Sequence, residues 1–518
     1  MMTGINLARS SAGNNTKASV IDLGSNSVKM ANYNVGSYKP YHQESARVKL
    51  AEGLVDGVIS DDHMKKTLET LRFFRSIVDF EAIDHVVAIA TSAVRDAGNK
   101  SMFMGDIFNE TGFDFTILSE REEALYSYAG AMCSLDVPNV VFFDIGGGSL
   151  EIVASQNYNI QKILSLPLGA LRLTRQFSTD SGLLGNLSHM HSHVCGLLPS
   201  MESLGMNSKN AALVGVGGTL RAIARYEQDM IDYPLAKLHN YAISYKSLKS
   251  ISKTFLSKTT QEISEIESMG NGRSYAIQAG SLVICELVKK LGFQSLTVGA
   301  QGLREGTLAL SLRHPKEFDA RRITAKHVQD MILSSCNVNL ASESVENMTR
   351  QLFLMNMMTR KEKSLLVHTL AQIDKLSSFR DVNSILYTVM DDDSVLSHRE
   401  QMIIALSLIY SKKKRKAESL ISKFKVILDP TDKKTIKKIS SIVSLCDIFH
   451  KTGASIRSKS DEPSLLTLDV YASKKTFPEI LVQQACSKME SSLGITVKSN
   501  ILYHDLQTRS DSNTQKAL

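Results

Sequence analysis

The chain has 518 residues, 43% of them apolar and 22% charged, which excludes a disordered or fibrous protein and leaves room for three or four domains. Its formal charge of +7 is unevenly placed: residues 1–310 hold 28 basic and 30 acidic side chains, and residues 311–518 hold 32 and 23. That asymmetry predicts a C-terminal part that meets an anion, and no apolar window is long enough for a membrane span.

Residues 1–19 are small and polar, without the apolar stretch of a signal peptide, and read as a loose tail. From there to residue 310 the pattern is α/β. Short apolar runs at 18–23, 85–90, 115–118, 140–145 and 211–216 predict strands, alternating with longer helical stretches. Residues 62–78 and 119–132 predict helices, the second opened by a capping box of Ser119 and Glu122. Residues 96–99 read as a loop, and 220–226 as helical.

Beyond residue 315 the texture changes. Patterns at 320–334, 342–358, 361–377 and 398–410 predict a mainly helical domain. Runs at 466–470 and 494–503 predict strands of a small α+β end, and 507–518 a loose tail. The expected divisions are 17–135, 136–312, 318–455 and 456–518. The cysteines at 133, 195, 285, 336, 446 and 486 stand at least 40 residues apart, which predicts free thiols in a reducing, cytoplasmic interior.

Two segments echo each other. Asp22-Leu23-Gly24-Ser25-Asn26-Ser27 and Asp144-Ile145-Gly146-Gly147-Gly148-Ser149 share Asp-apolar-Gly-x-x-Ser after a strand, 122 residues apart. Two copies of one strand-turn-strand unit facing across a cleft would produce this. Gly24 and the following N–H groups suit a phosphate oxygen, with side-chain donors on Ser25, Asn26 and Ser27. A local β-turn would use the same residues. An aspartate repels phosphate, so Asp22 suits a divalent cation instead. The run Gly146, Gly147, Gly148, Ser149 reads as a second phosphate loop or a purely structural turn. It lacks the Gly-Lys-Ser/Thr of a P-loop. Gly217, Gly218 and Thr219 form a third loop at a predicted helix start, where N–H groups favour anions.

Carboxylates able to activate water are Glu123, beside Glu120 and Glu122 at a helix start, and Glu151, seven residues past Asp144. Each could equally be a solvated surface group. Arg95 and Arg304 could offset phosphoryl charge, although Arg304 could instead pair with Glu305.

Taken together, segments 22–27, 91–95, 119–124, 144–151, 215–219 and 302–306 resemble the Ppx/GppA family of exopolyphosphatases and guanosine pentaphosphate phosphohydrolases. The resemblance spans about 18–310. It implies a pair of actin-like, ribonuclease-H-type α/β domains with the active site in the cleft between them. By that resemblance Glu123 matches the base for the attacking water. Asp144 and Glu151 match acidic groups around magnesium (or manganese in its place) and the attacking water. Arg95 matches a phosphate-contacting arginine. The chain departs from the family pattern at Glu120, Leu150 and Gly299. The helical domain resembles the HD type but lacks its metal-site histidines.

The function these residues imply is exopolyphosphatase activity, with a guanosine pentaphosphate phosphohydrolase or a non-catalytic ATP or polyphosphate sensor as alternatives. The partners expected are inorganic polyphosphate or a phosphorylated guanosine nucleotide and a second copy in a homodimer, with no specific nucleic acid. Residues 412–416 and Lys423, Lys425, Lys433, Lys434, Lys437 and Lys438 suit a long polyanion or a merely solvated surface.

Overall fold

Strand β1 (Lys17–Leu23) turns back as β2 (Val28–Asn34), which pairs with the edge strand β3 (His42–Ala46). The computed structural model describes residues 16–35, 39–178, 186–206, 211–269, 274–313, 324–328, 343–373, 381–391, 395–462, 464–473 and 477–504. A short ribbon follows, of β4 (Leu54–Val55) and β5 (Val58–Ile59). Then β6 (His85–Ala90) and β7 (Phe115–Ile117) join in parallel on the far side of β1, giving the order β3-β2-β1-β6-β7.

The pattern repeats. An antiparallel meander of β8 (Val140–Ile145), β9 (Leu150–Gln156) and β10 (Asn159–Leu166) is followed by β11 (Ala212–Val216), β12 (Tyr241–Ser244) and β13 (Ser295–Val298). Strands β11 and β13 run parallel to β8, and β12 closes the edge, in the order β10-β9-β8-β11-β13-β12. This is the duplicated ribonuclease-H-type architecture of an actin-like fold. The N-terminal strand begins at Lys17, inside the stretch 1–19 expected to be a tail, and residues 1–15 lie outside the described residues.

Strand periodicity explains where the aspartates go. Side chains alternate faces, so Ala18 and Val20 of β1 share a face with Asp22, and Val140 and Phe142 of β8 share one with Asp144. Both faces pack into a common core with Tyr126, Tyr128, Leu308 and Leu310 of helices Glu120–Ser134 and Leu303–Arg313. The opposite faces, with Ile21 and Leu23 or Phe143 and Ile145, meet separate outer cores. The two aspartates therefore sit where each inward face runs out at a strand's C-terminal end.

The central helices pack backbone on backbone. A Cβ on Gly130 would lie 2.0 Å from the Gly302 carbonyl oxygen, and one on Gly306 would lie 1.8 Å from that of Tyr126. No larger residue fits either position. At the start of Glu120–Ser134 the capping box forms as expected: the Ser119 side chain accepts from Glu122 N–H, and Glu122 Oε2 accepts from Ser119 N–H at 2.7 Å.

Because that core is shared, the two sheets form one compact unit, Met2–Asn337 with Asp393–Val395. Val328, which lies beyond the expected division at 318, is fully buried in the same core. The second unit contains helices Glu343–Leu354, Arg360–Leu370, Val382–Met390, His398–Lys412, Lys414–Lys423 and Asp432–Thr452. It ends in a sheet of β14 (Ser455–Glu462), β15 (Leu465–Ser473) and β16 (Thr496–His504), with helix Glu479–Leu493 as the crossover to the parallel strand β16. Gly494 caps that helix at φ 72° instead of opening the strand. Most of the helix expected at 320–334 and the end of the one expected at 361–377 lie outside the described residues. Lys438 is not a free surface cation, since its Nζ contacts Glu362 Oε1 at 2.7 Å and the Met357 carbonyl oxygen at 3.0 Å.

Candidate active site

The ends of β1, β8 and β11 open on a cavity of about 290 Å³, lined among others by Asp22, Lys29, Glu123, Asp144, Arg221 and Arg304. The echoed loops are its floor. Gly24 N–H donates to the Ser27 carbonyl at 3.1 Å, and Gly146 N–H donates to that of Ser149 at 3.0 Å, so the two turns share one closure.

In both loops the carbonyls are tied back. Those of Ser25 and Asn26 accept from Ala51 and Lys49 N–H, at 2.8 and 2.9 Å. Those of Gly146 and Gly147 accept from Ala170 and from Leu171 and Arg172, all at 3.0 Å, while Gly148 accepts from Arg172 Nε at 2.8 Å. Among the described residues no acceptor meets the N–H groups of Ser25, Asn26, Ser27, Gly147 or Gly148. That unpaired edge is a nest for anionic oxygens.

The triple glycine also answers to packing. A Cβ on Gly148 would lie 2.6 Å from Ser92 Oγ, and Ser92 Oγ itself contacts Ser25 Oγ at 2.7 Å. The two loops thus meet through two serines, and a side chain at Gly148 would wedge them apart. On the third loop, Gly217 sits at φ 110°, with its Cβ position 2.5 Å from the Ile145 carbonyl oxygen. It caps helix Gly218–Met230, whose first residues, Gly218 and Thr219, line the same cavity.

Charge converges here. Register pairs Asp144 with Glu151 across β8 and β9, and Asp22 with Lys29 across β1 and β2. One fold position thus carries a cation in the first hairpin and an anion in the second. Lys29 Nζ stands 4.0 Å from Asp22 Oδ2. Asp144 accepts a hydrogen bond from Ser127 Oγ. Burial pushes its carboxyl above the usual range, opposed by that hydrogen bond and by Arg221. Glu151, 2% exposed, takes Ser165 Oγ at 3.3 Å and is pushed well up by burial and then by the charges of Glu123 and Asp144. It lies behind Asp144 and is not among the residues lining the cavity.

Glu123 is on the fourth residue of its helix and reaches the cavity wall. Burial pushes its carboxyl up to about 7, with the Arg95 guanidinium opposing and Asp144 and Asp22 adding to the rise. Arg95 donates to Glu123 Oε2 at 3.0 Å and to the Leu118 carbonyl at 2.8 Å. It is turned onto the glutamate and does not line the cavity. Arg304 does line it, 3.5 Å from Gln43 Oε1. Its expected alternative partner is occupied otherwise: Glu305 accepts from Tyr33 Oη and Gly302 N–H, each at 2.9 Å.

Two cavity cations escaped sequence reasoning. Lys29 is two residues past the first loop, and only the hairpin register shows it opposite Asp22. Arg221 follows Thr219 by two residues and donates to the Ala300 carbonyl at 3.2 Å. Its place about one turn into a loop-capped helix was the available signal.

Comparison with known proteins agrees with this geometry. The model of the Ppx/GppA phosphatase family matches residues 30–314. A bifunctional 3-dehydroquinate synthase/phosphatase of Fusobacterium nucleatum is 27% identical over 296 residues, 54% of this chain and 44% of that protein. The match thus spans under half the length of that relative. Exopolyphosphatase 2 of Mycobacterium tuberculosis is 27% identical over 317 residues, 57% of this chain and 98% of that one. The crystal structure of an exopolyphosphatase from Cytophaga hutchinsonii superposes with a TM-score of 0.53 at 26% identity, covering 57% of this chain and 98% of that one. With a family model covering more than half of its length and the same cleft architecture, the chain belongs to the Ppx/GppA phosphatase family.

Proposed function

We propose that this chain hydrolyses the terminal phosphoanhydride bond of inorganic polyphosphate and releases orthophosphate. The observation that carries this reading is Glu123. It is a carboxylate pushed to about 7 and oriented by Arg95, beside two loops that present unpaired N–H groups. A base poised near neutral pH beside an anion nest is what attack of water on a phosphoanhydride requires.

In this reading the nests at 25–27 and 147–149 hold successive phosphates. Lys29, Arg221 and Arg304 offset the charge that spreads over the terminal phosphoryl oxygens. Glu123 takes a proton from the water as its oxygen bonds to phosphorus, and the shortened chain leaves on its bridging oxygen. Arg95 acts through Glu123 as a positioning residue.

The carboxylates fit a magnesium ion, or manganese in its place. Asp22 and Asp144 are an all-oxygen donor pair, and Glu151 beside them is raised by burial and then by the charges of Glu123 and Asp144. Asp22 and Asp144 would hold the ion, with Glu151 supporting Asp144 from behind. When bound, the ion supplies charge neutralisation at the phosphate oxygens.

Long chains as substrate are supported by the second unit, where Lys412, Lys413, Lys414, Arg415, Lys416, Lys433, Lys434 and Lys437 are exposed. The second reading is removal of the terminal phosphate of guanosine pentaphosphate, favoured by a third glycine loop, at 217–219, on the wall of the same cavity. A sensor without catalysis would gain nothing from an acidic cluster facing a polyanion. A cytoplasmic homodimer completes the proposal, by default symmetry and by the scattered free thiols; among the described residues no helix is long and apolar enough to cross a membrane. Purified protein given both substrates with magnesium tests the choice. Time-resolved product analysis on long polyphosphate should show orthophosphate from the outset, and higher kcat/KM on the nucleotide would reverse the order.

A further inference from the structure

Away from the cleft, three side chains of different chemistry converge. His191 and Cys195 stand four residues apart on helix Leu187–Leu197, hence on one face, and Glu286 reaches them from helix Ser274–Lys290. His191 Nε2 lies 3.4 Å from Glu286 Oε1 and 3.7 Å from Cys195 Sγ, and Cys195 Sγ lies 3.6 Å from Glu286 Oε2.

We propose that His191, Cys195 and Glu286 form a second metal site, for a borderline-soft divalent cation of the zinc type. The distances carry this. Around a tetrahedral zinc with bonds of about 2.3 Å to sulfur and about 2.0–2.1 Å to nitrogen and oxygen, ligand atoms stand roughly 3.3–3.6 Å apart. The contacts of the Glu286 carboxylate with the imidazole, through Oε1, and with the sulfur, through Oε2, fall in that range, the sulfur–nitrogen distance exceeds it by 0.1 Å, and one ligand atom from each of the three residues lies within 4.8 Å of the others. Sulfur and imidazole donors select zinc or cobalt over the magnesium that suits the cleft.

The surroundings match a site loaded from solvent. His191 is 43% exposed, which leaves the fourth position open to water. Lys289 Nζ stands 3.1 Å from Glu286 Oε2 and balances its charge, and being exposed it can swing away when a cation arrives. Lys290 holds the Cys195 carbonyl at 2.7 Å and fixes the end of the first helix against the second. Burial and the Glu286 charge keep the Cys195 thiol protonated, and a bound cation reverses that by stabilising the thiolate.

The position has a consequence for the cleft. Ala276 and Ile277 of the same helix line the cavity, and Glu286 lies nine to ten residues further on, about 14 Å along the axis at 1.5 Å per residue. A metal that clamps helix Leu187–Leu197 to this end stiffens an element that forms the cleft wall.

The test uses the full-length protein, stripped with chelator and kept in magnesium so that the cleft carboxylates are occupied, then titrated with cobalt(II). The proposal predicts a thiolate-to-cobalt charge-transfer band that saturates at one equivalent and is bleached by zinc. It also predicts a zinc-dependent rise in Tm. Cys195→Ser abolishes the band, and His191→Ala weakens binding at least tenfold. Lys289→Ala tightens it, since a competing ammonium is removed. Circular dichroism of the metal-free variants establishes that they fold. A wild-type protein without the band, a band that survives Cys195→Ser, or a Tm shift equal in wild type and variants would each overturn the site.

Discussion

Arg95 donates to Glu123 across 3.0 Å, and its other contact, with the Leu118 carbonyl, ties that pair to the end of the strand preceding the helix. This one guanidinium keeps the glutamate's proton affinity from rising further. Arg95→Ala removes it, so the acid limb of the kcat profile should move to higher pH. A rise of one unit from about 7 would cut the ionised fraction at pH 7 from half to about a tenth, roughly a fivefold loss that high pH restores. A loss independent of pH would show that Arg95 acts otherwise.

As the proposed base, Glu123 works only when ionised. Activity should therefore rise with pH through about 7 and level off above it, in kcat measured at saturating substrate. Stability runs the other way. The folded value lies above the unfolded one, so the protonated carboxyl's contribution is complete below about 4.5 and is lost as pH climbs through 7. Glu123→Gln should therefore raise Tm relative to wild type at pH 8 more than at pH 5.

Gly306 is a packing position and Gly148 a site position, and alanine separates the two. At Gly306 the new Cβ would lie 1.8 Å from a main-chain oxygen between the central helices. A destabilisation of about 3 kcal/mol or failure to fold should appear in urea denaturation. At Gly148 its nearest neighbours are side chains, Ser92 Oγ at 2.6 Å and Ser25 Oγ at 3.7 Å. Here the fold should survive while KM for polyphosphate rises, because the two phosphate loops are spread.

Neutralising residues 412–416 tests the basic surface. If it guides long anions, five alanines should raise KM for long polyphosphate at least tenfold, flatten its dependence on salt, and leave the shortest chains nearly unaffected. Equal effects on all lengths would remove the surface from the account.

Much of the cleft was legible because its chemistry is local in sequence. Asp22 and Asp144 each lie one residue before the end of a strand and lead into a turn that opens with glycine, so the same signature stands at both places. The capping box at Ser119 was legible for the same reason. What escaped depends on register and edges. Lys29 faces Asp22 only once the hairpin is paired, and β3 and β10 are edge strands whose polar, irregular patterns resemble loops. The roles of Gly130 and Gly306 were hidden as well, because each is set by a contact with the other helix's backbone.

The central claim is that Glu123 is the base. Glu123→Gln keeps the shape and removes the proton acceptor. Its turnover on polyphosphate, under saturating substrate and magnesium and with chemistry shown to limit the rate, should fall by roughly 10²–10⁴-fold. Binding of the chain, measured separately, should stay within about threefold of wild type. Turnover close to wild type under those conditions would contradict the assignment and move the search for the base to Glu151 or Glu122.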